Sequence, residues 1–146
     1  MKIQTKDLTG LQLDCAIAAM QGWTLTHDGI QPLLEQAGRM IPLRGYAEHA
    51  AGDIIDKQEI SVIRCDDEYA VDAKGFCTNV RIPVWAAAMG QHSADNIYGS
   101  QGDDWGRAYS INVDDVSYGA TRREAAMRAF LRQAIGETVV VPEGLA

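Results

Sequence analysis

The residues best placed to do chemistry form one run, Tyr118-Gly119-Ala120-Thr121-Arg122-Arg123. It sets an aromatic ring, a glycine, a hydroxyl and two guanidinium groups at the start of a helix. Helix N-termini present unpaired amide hydrogens and the positive end of the macrodipole. Arginine adds planar donors matched to phosphate or carboxylate oxygens. That chemistry is anion binding. A glycine-flanked segment, Gly102-Asp103-Asp104-Trp105-Gly106-Arg107, would bring a second ring and another cation from a long loop. Tyr118, Gly119, Thr121, Arg122, Arg123, Trp105 and Arg107 together read as a site for a small nucleotide-like anion. The same residues also admit a structural reading. The helix would then be a capped surface helix, its arginines solvated or paired with Glu124 and nearby acids, and Trp105 would anchor its loop to the core.

Other chemistry is weakly supported. The acidic pairs Asp66-Asp67, Asp103-Asp104 and Asp114-Asp115 fall at turns, where adjacent carboxylates are solvated tips unless more oxygens converge on them. His27, His49 and His92 are far apart, and none adjoins a serine or cysteine in a nucleophile motif. Cys15, Cys65 and Cys77 are odd in number and contain no C-x-x-C pair, so neither a complete disulfide framework nor a zinc site is expected. Cys15, among Ala16, Ile17 and Ala18, reads as a small buried thiol. The expectation is no metal, no cofactor and no catalytic residue, with a nucleotide-processing enzyme kept as an alternative.

These side chains need elements to hold them. Leu8-Thr9-Gly10-Leu11-Gln12-Leu13 carries a capping box, Thr9 with Gln12, and a hydrophobic staple, Leu8 with Leu13. Leu13, Ala16, Ile17 and Met20 continue it as one apolar helical stripe, closed by Gly22. Residues 24–59 are punctuated by Pro32, Gly38, Pro42, Gly45 and Gly52, which predicts loops with one or two short helical turns near Leu33-Leu34 and Ala47 to Ala51. Ile60 to Arg64 and Tyr69 to Asp72 read as a hairpin, and Asn79 to Ile82 with Val84-Trp85 as a third strand bearing Pro83 at an edge or bulge. Residues 90–107 read as a long loop and Tyr109 to Val113 as a fourth strand. Thr121-Arg122-Arg123-Glu124 is a second capping box. It opens a helix with Ala126, Met127, Phe130, Leu131 and Ala134 on its buried face and Gly136 at its end. Thr138 to Val141 is a last strand, stopped by Pro142.

The sum is an α+β domain spanning 1–146, with a mostly antiparallel sheet of four to five strands and two main helices. The chain has 146 residues and 47% hydrophobic composition, which excludes wholesale disorder. With 13 Lys plus Arg against 20 Asp plus Glu, the net charge is −7, which opposes wrapping a long nucleic acid. Arg122, Arg123, Arg128 and Arg132 nevertheless gather on the last helix, so a local basic site survives beneath the acidic total. No stretch approaches the ~20 apolar residues of a membrane span, and the N-terminus lacks a secretion signal's apolar run, so a cytoplasmic protein is expected. Alanine-rich helix faces and 7% aromatic residues predict a thin core and hence a homodimer.

Three blocks carry a family resemblance. Residues Lys2 to Ala18 hold the pattern K-x-x-T-x-x-L-T-G-x-x-L-D-x-A-x-A, with Cys15 where tryptophan is frequent. Ala51-Gly52-Asp53-Ile54-Ile55-Asp56 is similar to a Gly-Gly-Pro-Ile-Ile-Glu segment. Tyr118 to Thr121, Ala125 to Arg128 and Gly136-Glu137 to Pro142-Glu143 resemble a closing helix and a V-x-V-P-E tail. In order, these blocks resemble the NinX-like proteins of temperate bacteriophages. The resemblance spans about half the chain, leaves 66–110 unmatched and brings no catalytic residues. It implies a phage or prophage accessory protein acting in a bacterial host cell. Counter-defence by sequestering a nucleotide-type signal is one expectation, and an inhibitor or adaptor binding a host or phage protein is the other.

Overall fold

A computed structural model describes residues 1–65, 69–71, 77–81, 84–90 and 116–145. The fold is α+β, and every strand pairing in it is antiparallel. Among the described residues the helices are α1 (Gly10–Met20), α2 (Tyr46–Gln58) and α3 (Arg122–Ile135). The strands are β1 (Lys2–Gln4), β2 (Thr24–His27), β3 (Pro32–Gln36), β4 (Arg39–Pro42), β5 (Ser61–Cys65), β6 (Tyr69–Val71), β7 (Cys77–Arg81), β8 (Val84–Ala88), β9 (Ser117–Gly119) and β10 (Thr138–Val140). A single 3₁₀ turn, Thr5–Asp7, joins β1 towards α1. No helix among the described residues is long and apolar enough to cross a membrane.

Among the described residues the strands divide among four small sheets, β1-β10, β2-β3-β4, β5-β8-β9 and β6-β7, in place of the one sheet expected. Helix α3 is the hub, packed on β8 and β9 and against both α1 and α2. One apolar cluster joins these layers, with Leu8, Ile17, Leu34, Leu43, Met127 and Leu131 fully buried in it. The alanines that thin the helix faces let backbones approach closely: Ala125, Ala126 and Ala129 of α3 and Ala86, Ala87 and Ala88 of β8 are all buried.

Helix α2 is the main departure from the sequence reading. Pro32 opens β3 and Pro42 closes β4, so the punctuation of residues 24–42 marks a three-stranded meander. Beyond it, Tyr46, Ala47, Ala50, Ala51 and Ile54 form a helical stripe of buried residues. Gly52, a poor helix former, is exposed and does not interrupt that stripe. The helix start is capped from a distance. The buried carboxylate of Asp14 accepts hydrogen bonds from Gly45 N (2.9 Å) and Ala47 N (2.8 Å). An N-cap that arrives from α1 leaves no local sequence signal.

Smaller departures have equally plain causes. Thr9 caps α1 in extended conformation without a side-chain cap bond; its hydroxyl donates instead to Glu124 Oε2 at 3.2 Å. The Thr9–Gln12 box is thereby replaced by a bond to α3. Leu13, Ala16 and Ile17 are buried as expected, but Met20 is exposed, as is Ala134 at the far end of α3. Gly22 (φ 83°) and Gly136 (φ 101°) do follow α1 and α3 in the backbone region that favours glycine. β5 pairs with β8, and β6 with β7, so the hairpin expected between β5 and β6 does not form. The expected third strand divides into β7 and β8, in different sheets. Pro83, the 91–107 segment, Tyr109 to Val113, the three acidic pairs and His92 lie outside the described residues.

Candidate functional site

The Tyr118–Arg123 run joins β9 to α3, and the packing there is tight. A Cβ on Gly119 would sit 2.6 Å from Ala125 N and 3.1 Å from both Ala125 Cα and Glu124 C. Gly119 is therefore a close-approach residue, with no positive φ to explain it. Thr121 is the N-cap, its Oγ1 accepting from Glu124 N at 3.1 Å. The Glu124 carboxylate completes the expected box one residue early, accepting from Ala120 N at 3.2 Å. It also takes the Thr9 hydroxyl and pairs with Arg128 Nη2 at 3.2 Å.

The arginines of α3 are largely engaged. Arg128 donates from Nε to Leu8 O (2.8 Å) and from Nη1 to Tyr118 O (2.7 Å). Arg132 donates to Glu137 Oε1 (2.8 Å) and Val116 O (3.3 Å). Arg123 pairs with Glu48 at 2.8 Å, largely in solvent, where such a pair contributes only ~0–1 kcal/mol. Arg122 is exposed and makes no hydrogen bond or ion pair with any described residue. The Tyr118 side chain is partly exposed at the surface. Trp105 and Arg107 lie outside the described residues.

Thr121 and Arg123 do line a pocket of about 230 Å³, shared with Gly10 of α1 and with Ala47 and Glu48 of α2. Three helix N-termini meet there. Two of the positive ends are already met by carboxylates, Asp14 at α2 and Glu124 at α3, with Glu48 also on the wall. Three acids against Arg123 make this junction a poor host for a further anion. The geometry thus favours the structural reading of this run.

A second pocket, also about 230 Å³, has the opposite character. It opens between β4 and α2. Arg39 and Ile41 come from the same face of β4, being two residues apart. His49, Asp53 and Lys57 come from one face of α2, each four residues after the last. Trp23 and Tyr46 form the wall, edge to face, with ring centroids 5.9 Å apart and planes at 63°. The Tyr46 hydroxyl donates to Gln21 Oε1 at 2.9 Å, and Gln36 Nε2 donates to the Gln21 carbonyl at 2.9 Å. Burial pushes the Tyr46 hydroxyl above its ordinary value, and the neighbouring Trp23 indole partly opposes the shift. Arg39, His49, Asp53 and Lys57 make no side-chain hydrogen bond or ion pair with any described residue.

Sequence reasoning missed this group because it expected only a short helical turn at Ala47 to Ala51, where α2 runs Tyr46–Gln58. The signal was there in the four-residue spacing of His49, Asp53 and Lys57, which only a helix turns into a cluster. Among the described residues, no three His, Cys, Asp or Glu side chains converge as metal ligands would. Cys15 is buried, its thiol pushed up by burial first and the nearby Asp14 charge second, which suits a packing role. Compared with known families and curated proteins, the chain matches no family model and no curated sequence.

Proposed function

We propose that this chain is a non-enzymatic binding protein that holds a small anionic ligand of nucleotide type in the β4–α2 pocket. One observation carries the reading. Two permanent cations, Arg39 and Lys57, stand beside one carboxylate, Asp53, around a concave site with an aromatic wall, in a chain whose net charge is −7. Without counting His49, local charge there is +1 (two cations less one carboxylate). The resemblance to NinX-like phage proteins supports an accessory, counter-defence role in a bacterial host, in which sequestering a nucleotide signal would need no turnover. Calorimetry with cyclic and ADP-ribose-type nucleotides tests it: saturable heat that Arg39→Ala/Lys57→Ala abolishes is the expected result. No heat from any ligand with the folded chain overturns it, and a chromatographically altered nucleotide after incubation would favour the enzyme alternative.

The protein-binding alternative, and the homodimer, rest on a different surface. Among the described strands β10 pairs with β1 alone, and Thr138 to Pro142 carries no charge to guard its outer edge. Val140, Ile135 and Met20 are exposed around a neighbouring apolar groove of about 340 Å³. Light scattering, with Val140→Lys as the comparison, distinguishes a dimer from a monomer. Recovery of a stoichiometric host or phage protein would favour the adaptor reading.

A further inference from the structure

We infer that the β4–α2 pocket takes a planar aromatic anion of mononucleotide size, its ring against Trp23 and its charge between Arg39 and Lys57. The inference rests on the reading of this pocket as an anion site and adds the ligand's shape and chemistry. The aromatic wall is set before any ligand arrives. Trp23 meets Tyr46 edge-on, Tyr46 bonds to Gln21, and Gln36 holds the Gln21 backbone. Tyr46 is only 6% exposed, whereas Trp23 is partly open, so the indole is the ring a ligand meets. A preset aromatic surface is a platform for a base and adds little to the capture of a bare phosphate.

Size follows from the helix. His49 and Lys57 are eight residues apart on α2, which spans about 12 Å at 1.5 Å per residue. A volume of about 230 Å³ falls below the ~300–1,000 Å³ of pockets that enclose drug-sized ligands. One ring system and one anionic group fit these limits; a dinucleotide would leave half of itself in solvent. Asp53 lies midway between His49 and Lys57 on one face of α2. A carboxylate accepts hydrogen bonds and repels anions, so it suits a sugar hydroxyl or ring amine between the base and the phosphate.

The test uses the full chain in calorimetry with adenosine 5′-monophosphate, ribose 5-phosphate, adenosine and cyclic di-adenosine monophosphate. The monophosphate should bind tighter than ribose 5-phosphate by between about 5-fold and about 150-fold, the range for one stacked base. Trp23→Leu should erase that ratio and leave ribose 5-phosphate binding unchanged. Should Trp23→Leu fail to fold, Arg39→Ala, exposed on β4, should instead lower the affinity for both phosphates and spare adenosine. Equal binding of the monophosphate and ribose 5-phosphate would overturn the aromatic inference and leave the anion site standing. Adenosine binding as tightly as the monophosphate would overturn the anion site itself. A cyclic dinucleotide binding tenfold tighter than the monophosphate would overturn the size limit alone.

Discussion

Two glycine-to-alanine changes should move stability in opposite directions. At Gly119 the added methyl meets Ala125 N at 2.6 Å, and Ala125 Cα and Glu124 C at 3.1 Å. All three are backbone atoms of α3, which cannot swing aside as a side-chain tip would. Overpacking of this kind costs ~1–3 kcal/mol, and a backbone obstacle places Gly119→Ala at the upper end, ~3 kcal/mol. Restricting the unfolded chain returns only ~0.4–1 kcal/mol. The net loss of ~2 kcal/mol or more lowers Tm by roughly 4–8 °C for a chain near this length. At Gly52, exposed within α2, no atom lies within 4 Å of the new methyl. Alanine is the better helix former by ~0.8–1 kcal/mol, so Gly52→Ala should raise Tm by roughly 2–4 °C. Thermal melts followed by circular dichroism, with urea midpoints as a check, measure both. A Gly119→Ala protein that melts at or above the parent would refute the tight β9–α3 approach, and with it the structural account of the Tyr118–Arg123 run.

Arg128→Lys should destabilise by ~2 kcal/mol in urea titration at unchanged m-value, since one ammonium cannot serve both Leu8 O and Tyr118 O as the guanidinium fork does. Asp14→Asn should cost ~1–3 kcal/mol, because an amide turns one donor group towards the amides of Gly45 and Ala47, which need acceptors; loss confined to α2 would appear as faster hydrogen exchange in 46–58. Asp28, in the β2–β3 turn, accepts from Gln31 N (2.8 Å) and Ile30 N (2.7 Å), bonds that hold its carboxyl below its ordinary 3.8. Its folded value is depressed, so its contribution is complete above the unfolded value and lost as pH falls through the folded one; Asp28→Asn should flatten stability across that acid window, and an unchanged acid limb would refute it.

Both helices with legible signals had local ones. The Thr121–Glu124 box and Gly136 bound α3, and Gly22 closes α1, within a few residues of the chain they act on. What could not be read was non-local. Asp14 caps α2 from 31 and 33 positions away. Thr9 deserts its own helix for Glu124, 115 positions away. β5 prefers β8 to its sequence neighbour β6, and periodicity is silent on which strands pair. The candidate site inherited that blindness: without α2, His49, Asp53 and Lys57 are scattered polar residues, and Trp23 and Arg39 belong to separate loops.

The same carboxylates that make the fold also decide where an anion can go. A helix N-terminus attracts negative charge only while its amides lack a partner. Here the α2 and α3 starts recruit Asp14 and Glu124, and Arg123, Arg128 and Arg132 turn to Glu48, Glu124, Glu137 and backbone carbonyls. Each such pairing strengthens a junction and removes a cation or donor from service to a ligand. Arg39 and Lys57 stand at the edge of the meander and the end of α2 and pair with none of these acids. The acidic excess of −7 is screened within about 8–10 Å at ordinary salt, so it does not silence them at contact distance. The proposed anion site therefore lies away from the helix start, where sequence motifs point, in a side-chain pocket whose cations pair with no described residue.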